Sequence, residues 1–345
     1  MRIGVPREIK DGEFRVALTP DGVAQLANVV VEPGAGLGVG FGDEEYARAG
    51  ATIGDPWQCE LVVKVKELQP PEYARPRPGQ TIFGFQHFAP DPELLDAALA
   101  SGATFIAFET VGQRDGRLPI LAPMSAIAGR LAVQVGAWCL QKQNGGSGVL
   151  LPGLEGIAAG KVLILGAGNV GSNALAVAHG LGAQVTVVAR SERRFPELRR
   201  RYAAAKFSTT LESVADADLI IGGVLTAGQL SPKLITRRML ATMRPGSALV
   251  DVGIDQGGIA ETSRPTSHSD PVYIEEGVVH YCVPNMPSAC ARTASFALEA
   301  AVSPFVKMLL RDTMNIDLLD GVQVRAGKLT HEKLARDTRR SYSPL

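Results

Sequence analysis

The chain has 345 residues, which is enough for roughly two domains of ordinary size. Its 35 lysines and arginines balance 35 aspartates and glutamates, which argues against a strongly charged surface for nucleic acid or an anionic membrane. Hydrophobic residues make up 46% of the chain, as in ordinary globular proteins. We find no signal-peptide pattern and expect no transmembrane helix. We therefore expect a cytoplasmic two-domain protein with no nucleic-acid or membrane partner.

Short apolar segments alternate with helical segments in the first third of the chain. The pattern predicts strands at residues 2–5, 29–32, 61–66, 80–84 and 104–109. It predicts helices at 20–27, 44–49 and 91–101, the first of them begun by Pro20 and capped by Thr19. Short apolar strands separated by helices are typical of a parallel sheet covered on both faces. The fold class predicted for this part is therefore α/β.

The alternation returns in the second half of the chain. A long helix is predicted at 123–144, and strands are predicted at 160–165, 184–189, 218–222 and 248–253. A last helix is predicted at 293–311, followed by a polar tail. Because Glu299 and Lys307 interrupt the apolar surface of that helix, we expect it to pack on protein. The sequence thus predicts a second α/β block.

A glycine-rich motif follows the first strand of this second block. It occupies residues 166–171 and reads GAGNVG. Gly166 would allow the tight turn, Gly168 would let a pyrophosphate approach the backbone, and Gly171 would permit close packing of helix on strand. The helix N-terminus that follows offers N–H groups and a partial positive charge to phosphates. Because the motif lies at the strand-to-helix turn of a βαβ unit of about 30 residues, it predicts a dinucleotide site.

The end of the next strand indicates which nucleotide this site prefers. NAD-preferring sites usually carry an acid there, but this chain has Ala189, followed by Arg190 and Ser191. Arg190 can pair with a 2′-phosphate, and Ser191 can donate a hydrogen bond to it. Arg194 follows closely and is included in the predicted site, whereas residues 199–201 are better explained as a solvated helix face. We therefore predict a preference for NADP(H), with NAD(H) possible.

Five further segments, taken in chain order, resemble one known family, the alanine dehydrogenase/pyridine nucleotide transhydrogenase family. They are GEFRVALTP at 12–20, LVVKVKE at 61–67, LAPMSAIAGR at 121–130, VDVGIDQGG at 250–258 and YCVPNMP at 281–287. The resemblance implies two Rossmann-like doubly wound parallel-sheet domains with an active-site cleft between them. It also implies a discontinuous catalytic domain, 1–122 plus 290–345, and a central Rossmann domain, 123–289.

The resemblance assigns roles to the substrate side of the site. Arg15 would hold the substrate carboxylate, a task that suits a planar guanidinium. Lys66 would bind the carboxylate or the carbonyl oxygen and take part in catalysis. Lys64 lies two residues away in the same predicted strand, so strand geometry alone leaves both lysines open. His87 would be the acid/base, since imidazole titrates near neutrality.

The remaining roles concern the cofactor and the proton transfers. Asp255 would end a strand and activate water or ammonia, or contact the nicotinamide ribose. Ser125 and Asn285 would contact the nicotinamide side, and Asn285 also the substrate, while Met124 would pack near the ring or fill the core. The predicted cofactor-binding set is completed by Asn169, Val170, Val224 and Leu225. The scattered histidines and cysteines predict no metal site.

The implied reaction interconverts a small L-amino acid and its 2-oxo acid plus ammonia by hydride transfer with a nicotinamide cofactor. One alternative is an NADPH-dependent imine reductase or reductive aminase acting on another 2-oxo acid or amine. Another alternative is a transhydrogenase-like nucleotide-binding module. Arg15, Lys66 and His87 together favour the dehydrogenase. The expected partners are small-molecule substrates and further copies of the chain, as a hexamer or a dimer.

Overall fold

The computed structural model describes residues 1–112, 114, 116–211, 214–224 and 231–345. It divides into two compact units, one formed by Met1–Met124 with Ser288–Leu345 and the other by Ser125–Pro287. Each unit is built on a mainly parallel sheet flanked by helices. The predicted α/β class with two Rossmann-like sheets is therefore confirmed.

The first unit begins with six strands that form one parallel array. They are β1 (Ile3–Val5), β2 (Val29–Val31), β3 (Thr52–Ile53), β4 (Leu61–Val63), β5 (Thr81–Gly84) and β6 (Thr104–Ala107). Their spatial order is β3-β2-β1-β4-β5-β6, with Ile3 in register with Val29 on one side and Leu61 on the other. This is the doubly wound order, whose direction reverses between β1 and β4. Loops that leave the carboxyl ends of β1 and β4 therefore emerge side by side.

Short helices connect these strands. They are α1 (Pro20–Val23), α2 (Asp43–Arg48) and α3 (Pro92–Ser101), and α4 (Leu121–Cys139) follows. Two predicted helices are too long: the one at 20–27 ends at Val23, and the one at 123–144 ends at Cys139, before a separate 3₁₀ turn at Lys142–Asn144. Strand β3 was missed because two paired residues leave no periodicity to detect.

The second unit repeats the doubly wound order. Its strands are β7 (Lys161–Leu165), β8 (Gln184–Val188), β9 (Lys206–Ser208), β10 (Leu219–Gly222), β11 (Ala248–Asp251), β12 (Val272–Glu275) and β13 (Val278–Tyr281). They lie in the order β9-β8-β7-β10-β11-β13-β12, and only β12 runs antiparallel to its neighbour within this described sheet. Its helices are α5 (Asn169–Gly180), α6 (Phe195–Arg201) and α7 (Arg237–Leu240). The direction reverses between β7 and β10, so the glycine-rich loop leaves the sheet at this point.

The C-terminal segment returns to the first unit. It forms α8 (Ala291–Leu310), α9 (Ile316–Gly321), β14 (Val322–Arg325), β15 (Lys328–Leu329) and α10 (Glu332–Thr338). Strand β14 pairs antiparallel with β6 and so extends the first sheet. The predicted polar tail is therefore wrong. Val324 and Leu329 are buried in the hydrophobic core that also contains Phe105.

Helix α8 carries the charged residues that interrupt its apolar surface. Among the described residues, the segment Met286–Leu310 is long and apolar enough to cross a membrane by length and composition alone, and 44% of its most apolar stretch is buried. Glu299 is buried and accepts a hydrogen bond from the backbone N–H of Thr19. Lys307 donates to Gln25 (3.2 Å). Both charges thus contact protein in the first unit.

Candidate active site

Arg15 lies in the loop that follows β1, and its side chain is 2% exposed. Its guanidinium donates to the carboxylate of Glu13 through Nε (2.8 Å) and Nη2 (2.6 Å). Nη1 donates to the sulfur of Met124 (3.2 Å). Sequence reasoning missed Glu13, although an acid two residues before a buried arginine is a usable signal. The paired carboxylate offsets the cost of burying the guanidinium charge.

Two serines from the C-terminal segment hold the loop that carries Arg15. The hydroxyl of Ser288 accepts the backbone N–H of Phe14 (3.1 Å) and donates to the carbonyl of Gly12. The hydroxyl of Ser295, on α8, accepts the backbone N–H of Val16 (3.0 Å). The two ends of the chain thus cooperate in placing Arg15.

Strand β4 ends at Val63, so Lys64 and Lys66 belong to the loop after it. The prediction that both lysines lie in one strand and share a face is therefore wrong. The Lys64 ammonium is 1% exposed, donates to Glu72 (3.0 Å) and to the carbonyl of Glu67 (3.2 Å), and is committed to these partners. The Lys66 ammonium lies 5.9 Å from the ring centre of Phe85. Lys66 is also buried, so both lysines lie inside the first unit.

His87 follows β5, as predicted, and its ring also contacts Phe85. The two rings are nearly parallel (4°) with centres 5.7 Å apart. The backbone N–H of His87 donates to Glu109 (2.8 Å), and its Nδ1 lies 4.0 Å from the same carboxylate oxygen. The His87 side chain is 40% exposed, which leaves the imidazole open to a reactant. Phe85 thus brings Lys66 and His87 together.

Glu67 is a second carboxylate of this cluster that sequence reasoning missed. Its side chain is largely buried and accepts a hydrogen bond from Lys10. Burial acts to raise the pKa of Glu67, but the charges of Lys66, His87 and Lys10 outweigh burial and lower the pKa to about 2. Glu67 is therefore ionised at working pH and stabilises positive charge on its neighbours.

In the second unit, the glycine-rich loop has the geometry that a dinucleotide phosphate requires. A Cβ on Gly171 would lie 1.8 Å from the carbonyl oxygen of Gly166, so only glycine fits where helix meets strand. A Cβ on Gly168 would meet no atom within 4 Å, and Gly168 precedes Asn169 and Val170 at the start of α5 without a side-chain cap. The space that a side chain at position 168 would fill is thus open, and no side chain caps the first turn of α5. The residues present fit a pyrophosphate.

The end of β8 leads into the predicted adenosine region. Ala189 is half-buried, while Arg190 and Ser191 are exposed. The Ser191 hydroxyl caps the following 3₁₀ turn, Glu192–Arg194, by accepting a backbone N–H (3.3 Å). No side-chain carboxylate occupies the position of Ala189, and the Arg190 guanidinium is exposed beside it.

Arg194 contacts the glycine-rich loop directly. Its Nη1 donates to the carbonyl of Ala167 (3.0 Å), and its Nη2 lies 3.6 Å from Glu197. This arginine therefore connects the 3₁₀ turn after β8 to the glycine-rich loop. Sequence reasoning placed it in the site but did not anticipate this contact.

Asp255 does not end a strand, contrary to the prediction, because β11 stops at Asp251. Asp255 lies in the 3₁₀ turn Ile254–Gln256 and is exposed. An exposed carboxylate on a turn beyond the carboxyl end of a parallel strand is available to a ligand.

The turn that presents Asp255 is held by a buried carboxylate, Asp251, and by an exposed lysine, Lys233. The Asp251 carboxylate accepts from the backbone N–H of Gly253 (3.1 Å) and Ile259 (2.7 Å) and from the hydroxyl of Ser263 (2.5 Å). Burial raises the pKa of Asp251. From the other side, Lys233 donates to the carbonyls of residues 257 (2.5 Å) and 260 (2.9 Å). Asp251 was missed because sequence alone does not separate the two aspartates of this segment.

The other predicted cofactor residues lie at separate places in the second unit. Ser125 is half-buried on α4, and Asn285 follows β13 with a left-handed backbone (φ 58°). Val224 follows β10, and its carbonyl accepts from the hydroxyl of Ser231 (3.4 Å). Leu225 lies outside the described residues. Within the described part of the chain, no three His, Cys, Asp or Glu side chains are grouped so as to hold a metal ion.

Comparison with known proteins covers nearly the whole chain. Residues 4–128 match the family model "Alanine dehydrogenase/PNT, N-terminal domain", and residues 132–333 match "Alanine dehydrogenase/PNT, C-terminal domain". The alanine dehydrogenase of Halomonas elongata is 49% identical over 356 aligned residues, covering 97% of this chain and 96% of that protein.

Solved structures agree with this match. An L-alanine dehydrogenase superposes with a TM-score of 0.95 at 42% identity, covering 98% of this chain and 99% of that one. A transhydrogenase from Sinorhizobium meliloti superposes with a TM-score of 0.82 at 26% identity, covering 96% and 99%. The similarity to the dehydrogenase is thus the greater of the two in both sequence and structure.

Proposed function

The chain belongs to the alanine dehydrogenase/pyridine nucleotide transhydrogenase family, and from this membership we propose that it is an amino-acid dehydrogenase. It interconverts L-alanine, or a similar small L-amino acid, and the 2-oxo acid plus ammonia. The observation that carries the proposal is the pair formed by Lys66 and His87, which both contact Phe85 beside a buried negative charge. Reduction of a 2-oxo acid requires a cation that binds its oxygen atoms and an acid/base group that transfers a proton, and this cluster contains both.

Arg15 and Lys66 bind the substrate's oxygen atoms in this proposal. A guanidinium fixed by Glu13 is held in a set direction, which suits the binding of a carboxylate. Lys66 binds the carboxylate or the carbonyl oxygen and polarises that carbonyl. Glu67 stabilises the charge of Lys66 when no substrate is present. Asn285 makes a further polar contact with the substrate.

His87 transfers the proton at the substrate's oxygen or nitrogen. Phe85 fixes the plane of the imidazole, and Glu109 fixes the backbone that carries it. Asp255, exposed on its turn, activates the water or ammonia that adds to the carbon centre or binds the nicotinamide ribose. Positioned acid/base groups of this kind contribute roughly 10²–10⁴-fold to a rate.

The nicotinamide cofactor, when bound, supplies the hydride acceptor or donor. Gly166, Gly168 and Gly171 shape the loop that holds the pyrophosphate, and the backbone N–H groups of Asn169 and Val170 bind it. Ser125, Val224 and Asn285 contact the nicotinamide side in this proposal, and Leu225 remains a prediction from the sequence.

We infer a preference for NADP(H) over NAD(H). Ala189 offers no carboxylate to repel a 2′-phosphate, and the exposed Arg190 and Ser191 follow it directly. Arg194 supports the inference because it ties this end of β8 to the phosphate loop. The ratio of kcat/KM with NADPH to that with NADH measures the preference.

The decisive experiment supplies purified protein with pyruvate, ammonia and NADPH or NADH and follows loss of the reduced cofactor. Oxidation that requires both pyruvate and ammonia supports the proposal. Oxidation only with another 2-oxo acid or an amine would favour the reductive aminase. Exchange of hydride between two nucleotides without any amino acid would favour the transhydrogenase-like module.

We also propose that the unit containing both chain ends is the substrate-binding domain and that the central unit is the nucleotide-binding domain. A homo-oligomeric state, as a hexamer or a dimer, is proposed as well. It is supported by three large apolar side chains that one loop of the central unit exposes: Leu150, Leu154 and Ile157. Light scattering of the purified protein tests the oligomeric state, and a monomer would contradict it. The cytoplasmic location stays a prediction.

A further inference from the structure

Glu8 is a buried carboxylate in the loop after β1 that no part of the proposed mechanism uses. Its side chain is 2% exposed. One oxygen accepts the backbone N–H of Val65 (2.6 Å), and the other lies 3.3 Å from the backbone nitrogen of Lys66 and accepts its N–H. Glu8 thus contacts the two peptide groups that lead directly to the Lys66 side chain.

The topology of the first sheet explains this contact. Strands β1 and β4 are neighbours at the reversal of the strand order, so the loops after them lie side by side. Pairing of β4 ends at Val63. Beyond it, the N–H groups of Val65 and Lys66 need other acceptors, because a buried unpaired N–H is costly. The two oxygens of the Glu8 carboxylate provide these two acceptors.

Lys64 anchors Glu8 from the opposite side. Its ammonium lies 3.5 Å from Glu8 and 3.0 Å from Glu72, and all three side chains are buried. Burial opposes the charge of Lys64, but Glu8 and Glu72 outweigh it and raise the pKa of Lys64. A permanently charged lysine therefore holds the Glu8 carboxylate in place.

We propose that Glu8 is a positioning residue for substrate binding, which sets the direction of the Lys66 side chain by holding the peptide N–H groups of Val65 and Lys66. The inference rests on the proposed function, in which Lys66 binds the substrate. Glu8 is too deeply buried to meet the substrate itself and acts through the backbone.

Protonation of Glu8 gives the proposal a pH signature. The charged groups that face its carboxylate are Lys64, Glu13 and Glu72. Burial raises the pKa of Glu8, Lys64 lowers it, and Glu13 and Glu72 raise it further, to about 7. Below that pH the neutral carboxyl accepts hydrogen bonds more weakly, and one oxygen becomes a donor. The KM for the 2-oxo acid is therefore expected to rise as the pH falls through about 7.

The test is a double-mutant cycle between Glu8 and Lys66, read out as the KM for pyruvate at saturating ammonia and cofactor. Glu8→Gln replaces one accepting oxygen by an NH₂ group that faces a backbone N–H, so the KM above pH 7 is expected to rise about tenfold. The KM of Glu8→Gln is also expected to lose its rise below pH 7. In the Lys66→Ala background, Glu8→Gln is expected to leave the KM for pyruvate unchanged, because the side chain that Glu8 positions is absent.

Glu72→Gln is the matched control. It removes the other carboxylate from Lys64, but its hydrogen bond goes to the backbone of Gln69 (2.8 Å) and not to residues 65 and 66. It is expected to lower the Tm and to leave the pyruvate KM above pH 7 unchanged. Because the charge of Glu72 raises the pKa of Glu8, the rise of the KM on acidification is expected to move to a lower pH in this variant. If Glu8→Gln is too unstable to purify, Glu8→Asp, which shortens the reach to both N–H groups, serves in its place.

Three results would overturn the inference, and the first is distinguishable from the other two. If Lys66→Ala leaves the pyruvate KM unchanged, the proposed role of Lys66 fails, and the role of Glu8 fails with it. If Lys66→Ala raises the KM but the effects of the two changes simply multiply, Lys66 keeps its role and Glu8 is not its positioning residue. A Glu8→Gln variant with a lowered Tm and an unaltered KM at every pH would likewise show that Glu8 does not position Lys66.

Discussion

The guanidinium of Arg15 and the carboxylate of Glu13 form two parallel hydrogen bonds, at 2.8 Å and 2.6 Å, although only one residue separates them in the chain. Both side chains are buried. Such charge-assisted forks are stronger than neutral hydrogen bonds, and they fix the plane of the guanidinium. A cation whose direction is set before binding loses less conformational freedom when the ligand arrives. Glu13 is thus as much a part of the proposed carboxylate site as Arg15.

Glu13→Gln tests this pairing. The amide cannot accept both hydrogen bonds from the guanidinium, so Arg15 loses its fixed direction and part of its charge compensation. We expect the KM for pyruvate to rise about tenfold, the effect of losing roughly one charge-assisted hydrogen bond, with a smaller change in kcat. Steady-state kinetics at saturating cofactor provide the measurement. Arg15→Lys should raise the KM as well, since an ammonium lacks the fork; an unchanged KM in both variants would remove this pair from the substrate site.

His87→Ala should abolish most turnover. Removing a positioned acid/base is expected to lower kcat at least about 100-fold, while the Kd of NADPH, measured by fluorescence titration, stays within a few fold. His179→Ala, in α5 of the other unit, is the matched removal of a histidine and should keep its kcat. Full activity in His87→Ala would exclude the acid/base role.

The sequence predicted those parts of the fold that depend on local pattern. Strand β7 and the GAGNVG motif were correctly located because an apolar run followed by glycines needs only near neighbours to be recognised.

Other features depend on distant residues and could not be predicted. The alternating sequence LVVKVK favours a strand to Lys66, but β4 ends at Val63. The N–H groups of Val65 and Lys66 bind Glu8, which is more than fifty residues away in the chain. Asp251 and Asp255 are equally plausible in sequence, and only the loop contacts show which is buried. Contacts between residues that are distant in the chain therefore determine the local structure at positions where the sequence pattern allows two alternatives.

Arg190→Ala tests the nucleotide preference. If Arg190 pairs with the 2′-phosphate, its loss should raise the KM for NADPH by about tenfold or more and leave the KM for NADH within about twofold. Arg200→Ala removes the same charge from the last turn of α6 and should affect the two cofactors equally and slightly. Equal losses for NADPH and NADH in Arg190→Ala, or a wild type that prefers NADH, would contradict the assignment.

The two aspartates of the segment that begins with β11 should respond differently to the same change. Asp255→Asn alters an exposed side chain, so kcat should fall at least about 100-fold with little change in Tm. Asp251→Asn removes acceptors from two backbone N–H groups and a hydroxyl in a buried place, so the Tm should fall. Kinetics and thermal unfolding of both variants separate the roles. A stable, fully active Asp255→Asn would remove that residue from catalysis.

His280 gives the stability of the central unit a defined pH dependence. It is fully buried in β13, its Nε2 lies 2.8 Å from the hydroxyl of Thr262, and its Nδ1 lies 2.8 Å from the carbonyl of Val278. Burial lowers the pKa of His280 below its ordinary value of 6.5. Below pH 6.5 the unfolded chain therefore binds a proton that the folded chain does not, so the free energy of unfolding falls as the pH falls.

His280→Gln should weaken this dependence, because glutamine can keep a hydrogen bond to Thr262 but takes up no proton. We expect the Tm of the variant to fall less steeply than that of the wild type as the pH decreases from about 6.5. Some dependence of the Tm on pH should remain, since burial lowers the pKa of His331 as well. Thermal unfolding over a pH series provides the test. Parallel Tm curves would mean that the pKa of His280 is the same in the folded and unfolded chains, and its burial would then carry no pH-dependent cost.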